Sequence, residues 1–125
     1  MSAYMLGFVL ECILKAASCK TLNLAAYPED HKVVKNPKIT DYFRTHNFDM
    51  LLVISGASDL FSPKGVGFNS WSGFTQEYTG KIKVWTDIRY DTKDQYDEKR
   101  VKDIYDYLTK PNDGIIALIE AKERW

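Results

Sequence analysis

Met5, Leu6, Val9, Cys12, Ile13 and Ala16 recur three and four residues apart, an apolar stripe of helical period that Phe8, Leu10 and Leu14 widen past a single face. A helix apolar on more than one side predicts cover on more than one side. A polar connector follows, punctuated by Pro28 and Pro37. Each proline biases the residue before it toward extended backbone, so only a short strand or a turn of helix fits near 39–43.

Phe48–Ser55, a compact run ending in Val53, Ile54 and Ser55 between Asn47 and Gly56, predicts a mostly buried strand. Residues 56–74 carry four Gly, four Ser and the aromatics Phe61, Phe68, Trp71 and Phe74, and read as a long loop. Over 76–90 the alternation is clean. Tyr78, Gly80, Ile82, Val84, Thr86, Ile88 and Tyr90 share one face, while Glu77, Thr79, Lys81, Lys83, Trp85, Asp87 and Arg89 share the other, which predicts a long strand with a core side and a wet side.

Asp94 and Asp97 then form a capping-box-like start, and Val101, Ile104, Tyr105 and Leu108 repeat as one helical stripe that Lys110, Pro111 and Gly114 end. The segment from Ile115 to Glu120 reads as a last strand. Together the pattern predicts one α+β domain over residues 1–125, in the order helix, strand, loop, strand, helix, strand, with a mainly antiparallel sheet packed by two helices.

Composition supports a single folded core: 125 residues, 45% apolar and 14% aromatic. Seventeen basic and seventeen acidic residues leave no net field to gather the chain onto nucleic acid or an anionic membrane. Cys12 and Cys19 lie about 10.5 Å apart along one helix, too far for a disulfide within the chain, and read as small apolar fillers in a reducing compartment. The first apolar segment lacks a basic start, holds Glu11 and Lys15, and is too short to span a bilayer, so a protein that is not secreted and not in the membrane is expected.

The chain's last chemistry-bearing motif is Glu120-Ala121-Lys122, the Glu-x-Lys of a superfamily of metal-dependent nucleases. Such a site needs two or three carboxylates around a divalent ion and a lysine nearby. A strand would put Glu120 and Lys122 on one face, with Asp87 and Glu11 to complete the set. A three-residue pattern of common charged residues arises readily by chance, however, and a strand ending in solvated charge is the favoured reading. His31 and His46 have no ligands at zinc spacing, and there is neither a phosphate-binding glycine loop nor a nucleophile elbow. The expectation is a protein without catalytic residues, metal or cofactor, and beside the nuclease the other alternative is a cytoplasmic α+β binding domain of unassigned role.

In its order of elements, and most of all in the stretch from Gly80 to Arg89 followed by the helix from Tyr96 to Leu108, the chain resembles the small neck proteins of tailed viruses, of the tail-terminator or tail-completion type. That resemblance implies a structural virion protein that forms a ring, commonly a hexamer, at the tail end or head–tail junction. Its partners are then copies of itself, the tail tube and the head connector, with nucleic acid only passing through the ring's lumen. It is then found in the virion, and in the host cytoplasm during assembly. Contact residues expected on this reading are Phe61, Lys64, Phe68, Trp71 and Phe74 on an arm over 56–74, with Lys83, Trp85 and Arg89 on the wet face of the long strand.

Overall fold

The computed structural model describes residues 3–28, 36–76 and 98–125, and these form seven helices with no strand among them. In chain order they are α1 (Ala3–Thr21), α2 (Pro37–Phe43), α3 (Phe48–Ser55), α4 (Ser58–Phe61), α5 (Phe68–Gln76), α6 (Glu98–Thr109) and α7 (Ile115–Glu123). The predicted α+β architecture is therefore corrected to a helical one over the described residues. The alternating segment assigned to the long strand lies, from residue 77 onward, outside them, as does the expected start of α6 at Asp94.

The misread strand at Phe48–Ser55 is helical because both of its ends are built as helix ends. The Asn47 side chain accepts a hydrogen bond from the Met50 backbone N–H at 3.0 Å, a standard N-cap, and Asp49 stands in the first turn where the helix dipole favours negative charge. Gly56 closes the helix at φ 76°, a left-handed conformation that glycine adopts without steric cost. Phe48, Leu51, Leu52, Ile54 and Ser55 are the buried positions, and Phe48, Leu51, Leu52 and Ser55 among them recur at three and four rather than two.

The stretch from Ile115 follows the same logic. Ile115, Ile119 and Glu123 are buried one turn apart, so a run rich in β-branched residues turns as a helix against the core. The loop predicted over 56–74 contains α4 and α5. In it Phe61, Trp71 and Phe74 point inward, and Gly67 allows the close approach: a Cβ there would lie 2.5 Å from Cδ1 of Phe61.

The central element is α1, which packs against α3, α6 and α7, while α5 packs on α6. Its inner positions Ala3, Leu6, Leu10, Leu14 and Ala17 meet Phe48 and Leu51 of α3, Phe74 of α5, Ile104 and Leu108 of α6, and Ile115 and Ile119 of α7 in one continuous core. Full burial of a Leu or Ile side chain contributes about 1.5–3 kcal/mol, so this cluster is the main source of cohesion.

Candidate interaction surface

Opposite that core, α1 presents a second apolar face. Met5 and Phe8 are 45% and 44% exposed, and Cys12 and Ala16 continue the stripe at exposed positions. At about 100° per residue the mean direction of these four lies roughly 150° from that of Leu6, Leu10, Leu14 and Ala17. Isolated exposed apolar side chains are ordinary, but a register-matched stripe along one helix is the form that a contact surface takes.

The charged residues of α1 are drawn back toward their own chain. Glu11 is only 5% exposed, and its carboxylate Oε1 lies 2.5 Å from Nδ1 of His46 and 3.9 Å from Nζ of Lys15. The Lys15 ammonium also stands 5.1 Å from the centre of the Tyr27 ring. Lys20 reaches over the ring of Trp125, at 6.0 Å. A strip of uncharged surface results, running from Met5 past Phe8 and Cys12 to Ala16, with the half-buried Cys19 at its end.

The residues expected to touch partners separate into three groups. Phe61, Trp71 and Phe74 are built into the chain's own core: the Phe61 and Trp71 rings stand 5.3 Å apart, those of Phe48 and Phe74 5.8 Å apart, and the indole N–H of Trp71 donates to Oδ1 of Asp49 at 3.3 Å. Phe68 and Lys64 are at the surface. Lys83, Trp85 and Arg89 lie outside the described residues.

The four residues of the nuclease alternative are not brought together among the described residues. Glu11 is held by His46, and Asp87 lies outside the described residues. Glu120 and Lys122, two positions apart on helix α7 rather than on a strand, point about 200° from one another. Lys122 instead sits where three helices end. Its ammonium lies 3.4 Å from the carbonyl oxygen of Ser55, the last residue of α3, 3.4 Å from the hydroxyl of Thr21, the last residue of α1, and 2.5 Å from the buried carboxylate of Glu123 in α7. A cation placed there offsets the partial negative charge at converging helix C-termini. The lysine of the motif is thus engaged by structural partners.

A groove of about 510 Å³ lies beside α5 and α6, lined among others by Asn69, Ser70, Asp103, Asp106 and Tyr107. Among the described residues no group of three or more His, Cys, Asp or Glu is placed to hold a metal ion, and no helix is long and apolar enough to cross a membrane. Comparisons of the chain with protein-family models, curated proteins and solved structures find no match.

The outer stripe of α1 was absent from the predicted contact set. Its signal was nonetheless in the sequence: Met5, Cys12 and Ala16 belong to the predicted apolar stripe and Phe8 widens it, whereas the core is made by Leu6, Leu10, Leu14 and Ala17 on the other side of the helix.

Proposed function

We propose that this chain is a structural protein that acts by assembling with copies of itself, and that the outer face of α1 is its contact surface. The observation that carries this reading is the pair Met5 and Phe8, two large apolar side chains each nearly half exposed on the central helix, in register with Cys12 and Ala16. Apolar area removed from water stabilises association by about 25 cal/mol per Å², and no charge has to be desolvated along the strip.

Within that class, the particular assembly we propose is a ring at the tail end or neck of a tailed virus, hexameric in the form the sequence layout suggests. What supports it is the placement of an apolar first helix and of a helix over 98–109, which occupy the positions that layout calls for. Phe48–Ser55 gives no such support, because it is a helix. On this reading the chain joins tail tube and head connector, with DNA passing through the lumen.

Light scattering over a concentration series tests the class, and electron micrographs of the purified protein test the ring. Mass rising with concentration supports self-assembly; monomer at every concentration overturns it. Closed rings support the finer reading, and dimers without rings overturn that part alone.

A further inference from the structure

The imidazole of His46 is held at one nitrogen and open at the other. Nδ1 lies 2.5 Å from Oε1 of Glu11, a carboxylate buried on α1, while the His46 side chain itself is 49% exposed. An ionised carboxylate only accepts hydrogen bonds, so the proton between the two belongs to Nδ1. In the neutral ring the lone pair is then on Nε2, and Nε2 has no hydrogen-bond partner among the described residues. A basic nitrogen left open on a ring that a buried carboxylate fixes from behind is what nucleophilic and general-base catalysis asks of a histidine.

We propose that His46 is the nucleophile of an acyl-transfer site, with Glu11 as its positioning residue and small activated esters as its substrate class. This activity and the assembly described above are independent of each other. The step balances without a cofactor. Nε2 attacks the ester carbonyl carbon, an N–C bond forms, the C–O bond to the leaving group breaks, and the alkoxide or phenolate departs with the bonding pair. Water then attacks the acyl-imidazole, releasing the carboxylic acid and returning the lone pair to Nε2. Through both steps Glu11 keeps the ring in one orientation and offsets the positive charge that develops on it.

The surroundings suit that chemistry. His46 stands one residue before Asn47, the cap of α3, and the unpaired N–H groups and positive dipole end of a helix start favour the negative charge of a tetrahedral intermediate. Two exposed apolar side chains offer the acyl group a shelf. Phe8 lies one turn before Glu11 on α1, and Met50 receives the Thr45 hydroxyl on its sulfur at 3.8 Å, in the turn that carries His46. The charged neighbours are Lys15, 3.9 Å from the same Glu11 oxygen, and Arg44 and Asp49 on either side of His46 in the chain; Asp49 is occupied by the Trp71 indole. A half-exposed ring of this kind favours small substrates with good leaving groups.

Two measurements test the site, one on the ring and one on turnover. Long-range proton–nitrogen NMR spectra of the wild-type protein, at a pH where His46 is neutral, read which ring nitrogen carries the proton. The expected position is Nδ1, and a proton on Nε2 overturns the proposal. With p-nitrophenyl acetate as substrate, release of p-nitrophenolate past the stoichiometric acetylation of Cys12 and Cys19 should rise with pH, because only the neutral imidazole attacks. His46→Gln, checked for folding by circular dichroism, should turn over at least roughly tenfold more slowly, and His31→Gln should keep the wild-type rate. Glu11→Gln should lie between the two, with both ring tautomers in its spectrum. Wild type no faster than buffer, or a folded His46→Gln as fast as wild type, overturns the site. A Glu11→Gln protein with wild-type rate and a single Nδ1–H tautomer overturns the role of Glu11.

Discussion

Nδ1 of His46 lies 2.5 Å from Oε1 of Glu11, joining the residue that precedes α3's cap to a carboxylate buried on α1. The bond ties α1 to α3, the helix it packs against most extensively, and satisfies an acidic group that burial would otherwise make costly. His46→Ala leaves that carboxylate with Lys15 at 3.9 Å as its remaining ionic neighbour among the described contacts. The expected loss is about 1–3 kcal/mol, or roughly 4 °C in Tm per kcal/mol for a chain of this size, read by thermal melting. An unchanged Tm would show that the bond contributes nothing to stability.

Lys122 and Glu120 should behave as opposites. Lys122→Met strips the ammonium from the junction of α1, α3 and α7 and leaves Glu123, 5% exposed, without its cation. Urea titration should show a loss of about 1–3 kcal/mol, and Lys122→Met combined with Glu123→Gln should lose less than the sum of the two single changes. Glu120→Ala, on the exposed side of the same helix, should stay within about 0.5 kcal/mol of wild type. Equal effects at the two positions would contradict the junction.

Asn47→Ala separates the helical structure of Phe48–Ser55 from the extended one its composition suggests. Loss of the side-chain cap on the Met50 N–H should cost about 1 kcal/mol, measured by chemical denaturation, with Asn47→Asp retaining most of the stability. A strand at this place has no cap to lose, so full stability in Asn47→Ala would count against the helix.

Gly67→Ala should destabilise by about 1–3 kcal/mol, because the added methyl meets the Phe61 ring at 2.5 Å and Leu118 Cδ1 at 2.6 Å. The same measurement on Val66→Ala, at a neighbouring position that is exposed, should show little change.

How far the sequence disclosed this structure depended on whether a segment carries a period long enough to decide. Ala3–Thr21 spans five turns, and its stripe at three and four could only be helix; Val101, Ile104 and Leu108 marked α6 in the same way. Phe48–Ser55 has eight residues, nearly all apolar, and a continuous apolar run has no period to read. Asn47 and Gly56 were visible as boundaries, yet the information lay in their order: a capping residue before the run and a left-handed glycine after it are the two ends of a helix.

Ser and Gly within 56–74 argued for a loop by composition, whereas Gly67, Ser70, Trp71 and Phe74 are buried at helical spacing because tertiary contact with Phe61 and α6 outweighs weak propensity. The Glu-x-Lys reading depended on a strand; on a helix the same two residues diverge, and the lysine is taken up at the helix ends. For the proposed contact surface, the breadth of α1's apolar sector announced a second covered side. What the sequence alone lacked was which side the core would occupy, and that followed only once α3, α6 and α7 were placed.

The most direct measurement of the central claim is sedimentation equilibrium of wild type beside Phe8→Glu, with circular dichroism and thermal melting to establish that both are folded. A glutamate at that exposed site puts a charge in the middle of the uncharged strip without entering the core. The account predicts concentration-dependent association in wild type, weakened at least tenfold in the folded variant, equivalent to about 1.4 kcal/mol or more. Wild type sedimenting as monomer throughout, or a folded Phe8→Glu associating as strongly as wild type, would contradict it.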